Sequence, residues 1–328
     1  MSPTPCPRDP AARRRRGPRV RFAVRGLIAL VAVVAPAVVA IEAGAARPTA
    51  TAYYVAVGAS ETLGYQGSGP GGLTVPTTQG YTNDVLSAER ARWRGLHLVR
   101  FACPGIRMDM SLSGGRPTAL PVPLQHISAP TTTGRCRRDV GSEVATASAF
   151  IRAHAGEVVL VTIDIGYPDV AACMAGEVID HGCVSDALAR IRAGLPIVVA
   201  RLRAADGRRL RIVGLEHADP SLADYVGGPA GSADPQFAMA SAQVTGWFNR
   251  VVSATYSSVG VRVARVGAAF GTADTSPADL RGKGTVPFDV KAICTLTWMC
   301  TSGNIHPNAE GYRRIADAID AAVSGERR

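Results

Sequence analysis

Five short apolar runs, separated by helical patterns, constrain this chain more than any other feature of its sequence. They are "AYYVAV" (52–57), "LHLVRFA" (96–102), "EVVLVTIDI" (157–165), "RLRIVGLE" (209–216) and "VRVARVG" (261–267). Each is nearly continuous in apolar and β-branched residues rather than alternating with polar ones. That is the pattern of strands buried on both faces, as in a parallel sheet covered by helices. Helical patterns fall between and after them, at 81–94, 141–154, 184–205, 235–258 and 308–323. The third of these reads as one long helix interrupted near Gly194-Leu195-Pro196. Repeated βα units predict an α/β protein, a flavodoxin-like three-layer α/β/α sandwich with a five-stranded parallel sheet. Neither an internal repeat nor a linker divides the pattern.

The first 45 residues stand apart from it. A basic stretch, "ARRRRGPRVRFAVRG", precedes fifteen apolar residues from Leu27 to Ile41, and small residues follow at Ala43-Gly44-Ala45. That is the pattern of a signal peptide. Residues 1–45 are therefore expected to be an export signal and residues 46–328 the folded domain. If the segment stays uncleaved, an apolar run counted from Phe22 makes a membrane anchor. The leader also carries most of the charge. Residues 1–25 hold eight Arg and one Asp, a net +7, which taken from the chain's +10 leaves +3 for the remainder. A balance that small gives no electrostatic footprint for a nucleic-acid partner.

Cysteine usage agrees with export. Cys6 lies in the leader, and the other six form an even set whose spacing nominates three local bridges: Cys103–Cys136, Cys173–Cys183 and Cys294–Cys300. No Cys/His set has zinc-ligand spacing, so neither a metal nor a cofactor is expected.

In doubly wound sheets reactive groups gather at the carboxyl ends of the strands. Three segments lie there: the turn at Ser60, "ACPGIRM" (102–108) and "IDIGYPDV" (163–170). A fourth, "GNIHPNAEGY" (303–312), precedes the last helix and carries His306. Serine needs a base for its proton and donors for the oxyanion. Ser60 on a small-residue turn offers an accessible hydroxyl, and its own amide faces the same space. Gly105 lets a second amide approach closely, because it has no Cβ. His306, in its His-Pro-Asn turn, is the candidate base. Asp164 and Asp169 read as helix-capping or loop-satisfying residues. His97, His126, His154, His181 and His217 share no ligand spacing and read as structural or surface residues. Trp298 and Met299 serve either an acyl pocket or packing. Loops 66–80, 104–138 and 218–234 are expected to shape a pocket.

Together these segments resemble the SGNH (GDSL-type) hydrolase superfamily, in the type exported by actinobacteria. "VAVGASETLG" is similar to its first block, "CPGIRM" to its second, "IGYPD" to its third and "IHPNAEGY" to its fifth. The likeness spans nearly the whole of 46–328. It implies the SGNH hydrolase fold and an exported serine esterase or lipase, with Ser60 as nucleophile, His306 as base, and the Ser60 and Gly105 amides as oxyanion donors. Three positions depart from the family. Ala59 stands where the first block has Asp. Pro168 stands where the third block has an oxyanion-donating Asn, and proline has no donor. Gly303 stands where a carboxylate precedes the His by three residues. The carbonyl of Ser302 or Gly303, or the Asn304 side chain, is then the expected group that orients His306. The resemblance implies a monomer acting on a small-molecule, lipid or glycan ester. The departures leave room for a weakened or non-catalytic protein binding envelope glycans or lipids, or for an acyltransferase.

Overall fold

The apolar run after residue 51 forms β1 (Ala52–Gly58), the strand on which the fold is centred. A computed structural model of the chain describes residues 51–68, 74–114, 142–206, 210–229 and 233–325. The leader, Cys136, His126 and most of the 104–138 segment lie outside the described residues. The remaining sheet strands are β2 (Leu96–Ala102), β3 (Val158–Asp164), β4 (Ile212–Leu215) and β5 (Arg262–Ala264). All pair in parallel, in the order β2-β1-β3-β4-β5. This is the flavodoxin-like order, which reverses direction beside β1 and opens a crevice at the carboxyl ends there. In register, Gly58 lies opposite both Ala102 and Asp164, so the first three strands end together.

Alternation along β1 divides the core in two. Val55 and Val57 enter one apolar cluster with α3 (Glu143–Ala153), α4 (His181–Asp206) and α5 (Pro235–Ser258). Tyr54 and Ala56 enter the other, with α1 (Tyr81–Glu89), α6 (Phe288–Leu296) and α7 (Ala309–Ser324). Between β2 and α3 lies the short α2 (Met108–Ser113). Both faces are covered, which is why the strands read as continuous apolar runs.

α4 departs from expectation: it runs unbroken through Pro196. Proline removes one helical hydrogen bond and costs on the order of 3 kcal/mol. Val184, Ile191, Leu195, Val198, Val199 and Leu202 all bury on one face of the same helix. At roughly 1.5–3 kcal/mol each, their burial outweighs that loss.

Two of the expected bridges, Cys173–Cys183 and Cys294–Cys300, are formed, with Cα separations of 5.5 and 5.0 Å. The first ties the start of α4 to the segment after β3. The second closes the stretch that leads toward His306.

Candidate active site

The chain leaves β1 at Gly58 and turns at once into a short 3₁₀ helix, Glu61–Leu63, with Ser60 as its N-terminal cap residue. The turn is fixed from several sides. The Ser60 carbonyl accepts from the amides of Leu63 (3.1 Å) and Tyr65 (3.2 Å). Thr62 Oγ1 shares a hydrogen bond with Tyr81 Oη at 2.9 Å, and Tyr312 Oη donates to the Tyr65 carbonyl at 2.6 Å. α1 and α7 thus both grip the loop that carries Ser60.

After β2 the chain passes through Gly105, whose φ of +69° is open to glycine at little cost. Ala59, Cys103 and Ile106 pack together, which seats this loop against the Ser60 turn. Asp169, after β3, holds it from the other side: its Oδ2 accepts from the Met108 amide at 2.8 Å. Pro168 occupies the first turn of the short helix Tyr167–Ala171, where a missing N–H does no harm. It brings no side-chain donor to the site.

The fourth element is the strand Asn304–Pro307, paired with Thr297–Trp298. Asn308 caps α7, its Oδ1 accepting from the amides of Glu310 and Gly311 at 3.0 Å each. A Cβ on Gly311 would lie 2.1 Å from the Leu296 carbonyl oxygen, so only glycine lets α7 dock this closely. The His-Pro-Asn-x-x-Gly pattern therefore sets where His306 stands.

His306 is buried, and its Nδ1 lies 2.8 Å from Asn304 Oδ1. The His306 backbone amide donates to the same oxygen at 3.0 Å, and Asn304 Nδ2 donates to Thr74 Oγ1. These contacts fix which end of the amide faces the ring. An acceptor at Nδ1 requires the proton there, which leaves a bare lone pair on Nε2. Nε2 is buried and has no hydrogen-bond partner. Burial is the main cause that lowers the His306 pKa; Glu61 works against it and His217 with it. The ring is therefore neutral around pH 7, as a base must be. Of the three candidates for orienting His306, the Asn304 side chain is the one that contacts Nδ1.

Ser60 Oγ does not reach His306 in this arrangement. It donates to Glu61 Oε2 at 3.2 Å, while Glu61 Oε1 lies 3.4 Å from His217 Nε2. His217 follows β4, stacks face to face on Tyr167 with ring centroids 3.6 Å apart, and has Nδ1 2.5 Å from the Ala218 carbonyl oxygen. Asp164, at the end of β3, accepts from Thr62 Oγ1 at 3.4 Å. Burial raises the Glu61 pKa, but the hydrogen bond and charge of His217, with the charge of His306, bring it down to about 2. Burial and the nearby Glu61 charge push Asp164 up to about 7. Glu61, Asp164 and His217 border a cavity of about 20 Å³, room for roughly one water.

Sequence reasoning assigned Ser60, Gly105 and His306 to one end of the sheet and did not single out Glu61. It read Asp164 as a loop-satisfying or capping residue, in keeping with the bond it accepts from Thr62 Oγ1, and His217 as structural or surface, whereas the fold sets it beside Glu61. His97 and His154 lie elsewhere, beside Tyr53. Trp298 donates from Nε1 to Gln66 Oε1 at 3.3 Å, and Met299 packs on the α7 side of the core.

No family model matches the chain, and no curated protein matches it. Among solved structures it is similar to an extracellular lipase from Streptomyces rimosus, with 17% identity, 83% of this chain and 100% of that one covered, and a TM-score of 0.47. It is likewise similar to a phospholipase A1 from Streptomyces albidoflavus, with 16% identity, 83% and 100% covered, and a TM-score of 0.47. A carbohydrate acetylesterase from Sinorhizobium meliloti is a third, with 12% identity, 84% and 99% covered, and a TM-score of 0.45. The fold rests on the strand order, and the chemistry on the residues of the site.

Proposed function

We propose that the chain is an exported serine hydrolase of the SGNH type that cleaves carboxylic esters. The observation that carries this reading is the set of His306: Nδ1 held by Asn304, and Nε2 buried and unpartnered at the strand ends where Ser60 lies. Ser60 Oγ turns from Glu61 to His306 and attacks the ester carbonyl as Nε2 takes its proton. The amides of Ser60 and Gly105 hold the oxyanion. The tetrahedral adduct collapses, and the leaving alcohol departs with the proton from Nε2. Water then repeats the sequence on the acyl-enzyme, releasing the acid and restoring the Ser60 hydroxyl.

Two disulfides and the leader pattern support an oxidising, extracellular setting. The ester is that of a small molecule, lipid or glycan, and the membrane is a partner only if residues 1–45 stay attached. A fluorophosphonate probe tests the reading: labelling of Ser60 in the wild type and none in Ser60→Ala is expected. Absence of labelling under conditions that label an active control hydrolase would refute it.

A second reading, a non-catalytic binding module for envelope glycans or lipids, is favoured by the Ser60–Glu61 hydrogen bond and by Pro168. It predicts no ester turnover above blank in either protein, with ligand binding unchanged by Ser60→Ala.

A further inference from the structure

Between β2 and α2 the chain runs from Cys103 to Met108 and carries Gly105, whose amide is one of the two proposed oxyanion donors. Both ends of this segment are fixed. At one, the Cys103 amide donates to the Gly58 carbonyl at 3.2 Å, which ties it to the last residue of β1. At the other, the Met108 amide donates to Asp169 Oδ2 at 2.8 Å. In between, the Ile106 amide closes a turn onto the Cys103 carbonyl at 3.1 Å, with Gly105 at its φ of +69°.

The acceptor at Met108 comes from an unexpected place. Met108 is the first residue of α2, and the cap residue Arg107 makes no side-chain hydrogen bond. α3 and α7 take their caps from Ser142 and Asn308, at their own first turns. For α2 the acceptor is brought instead from the segment after β3. Asp169 is buried, its Oδ1 has no hydrogen-bond partner, and Arg190 Nε stands 3.8 Å from that oxygen. Burying a carboxylate on so few partners is unfavourable, and capping one short helix does not require it. Asp169 is itself held in place. Its amide donates to the Gly166 carbonyl at 3.1 Å, and Cys173, one turn further on, is bridged to Cys183 of α4. The Met108 side chain is buried against Gly194 of the same helix.

We propose that Asp169 is a positioning residue for the oxyanion site: by holding the Met108 amide it sets where the Gly105 amide points. The proposal rests on Ser60 and His306 being nucleophile and base. Pro168, next to Asp169, has no side-chain donor to offer, so the Ser60 and Gly105 amides carry the developing charge by themselves. With only two donors, a displaced one is not made up by a third. A misplacement of about 1 Å can cost on the order of a hundredfold in rate. Asp169 acts through the loop, and the loop needs an acceptor from it rather than a charge.

Asp169→Ala removes the acceptor, whereas Asp169→Asn keeps an oxygen at the same reach. Two readouts are used: kcat/KM with p-nitrophenyl acetate, and the inhibition constant of phenylboronic acid. The boronate forms a tetrahedral adduct on Ser60 that sets an oxygen where the oxyanion develops, so it reports the donors directly. In Asp169→Ala, kcat/KM should fall on the order of ten- to a hundredfold, and boronate affinity by a similar factor. Asp169→Asn should stay within about threefold of wild type in both, since a neutral acceptor keeps most of the hydrogen bond. A purely structural bond would lower the thermal midpoint and leave the boronate affinity of the folded protein unmoved. Values within about twofold of wild type in folded Asp169→Ala overturn the proposal, and so does an equal fall in Asp169→Asn.

If Asp169→Ala gives no cooperative melt, Met108→Pro is compared with Met108→Ala. Both lose the side chain, but only proline lacks the N–H. Proline suits the first position of a helix, and Arg107 before it is already extended at ψ 167°. A boronate affinity about tenfold weaker in Met108→Pro than in Met108→Ala supports the proposal, and equal affinities overturn it. A wild type that neither turns over ester nor takes the fluorophosphonate label defeats the hydrolase reading, and this proposal with it. An active wild type beside an unaffected Asp169→Ala defeats this proposal alone.

Discussion

His306 and His217 are both well-covered histidines under the charge of Glu61, yet their pKa values move in opposite directions, that of His306 down and that of His217 up. Both ring nitrogens of His217 face acceptors, which favours the doubly protonated ring, and its pKa is raised: burial lowers it, and Glu61 and Asp164 more than offset that. His306 has one nitrogen satisfied by Asn304 and one unpartnered, so it stays neutral with a lone pair to offer. The contrast teaches that burial alone decides neither case. The partner set does: a neutral amide at Nδ1 favours the neutral ring, where a carboxylate at Nε2 favours the cation.

Removal of each ring is the strongest way to break the comparison. His306→Ala should reduce kcat/KM on the order of 10⁴-fold or more, measured with p-nitrophenyl acetate, with His217 unable to substitute because it has no lone pair free. Equal losses in His306→Ala and His217→Ala would mean that the two rings are not distinct in role.

Next in size is the amide. Asn304→Leu frees the tautomer, and a fall of about 10²-fold or more is expected in the same assay. Asn304→Asp sharpens the point, because a carboxylate at Nδ1 favours the cation. Its acid limb should rise toward higher pH by about one unit or more.

A smaller effect concerns stability on the His217 side. The folded-state pKa of Asp164 is raised, to about 7, by burial first and Glu61 second. For a raised group, the stability it contributes is complete below the unfolded value of about 3.9 and is lost as pH rises through the folded one. Wild type should therefore lose stability relative to Asp164→Asn between about pH 4 and pH 7. Thermal melts across that window measure it, and parallel curves would contradict the assignment.

The smallest effect is the stacking of Tyr167 on His217. Tyr167→Phe keeps the ring face and should be nearly neutral in this contact. Tyr167→Leu should lose about 1 kcal/mol more at pH 5 than at pH 9, read from urea midpoints. The sign follows from a raised His217 pKa: the cation, and the stability tied to it, are fully present below about pH 6.5 and lost as pH rises through the folded value.

Much of this end of the molecule was legible before any coordinates. Continuous apolar runs gave five parallel strands, and their carboxyl ends gave Ser60, Gly105 and the 163–170 segment. The His-Pro-Asn-x-x-Gly pattern gave His306 a fixed turn, because Asn308 caps α7 and Gly311 admits the Leu296 carbonyl. Pro196 misled because a local rule about one hydrogen bond met a helix whose whole apolar face is buried. Glu61 was passed over because a charged residue next to a turn is ordinarily solvated, and nothing local says that α1, α7 and the β4 loop will enclose it.

The sequence by itself determined the architecture and the turn that carries Ser60, because strand burial, capping and turn geometry depend on near neighbours along the chain. Only the tertiary structure decided the charge of each histidine. That depends on which acceptors the fold carries to each ring: Asn304 Oδ1 for one, and for the other Glu61, from a turn 156 positions away in the chain from His217.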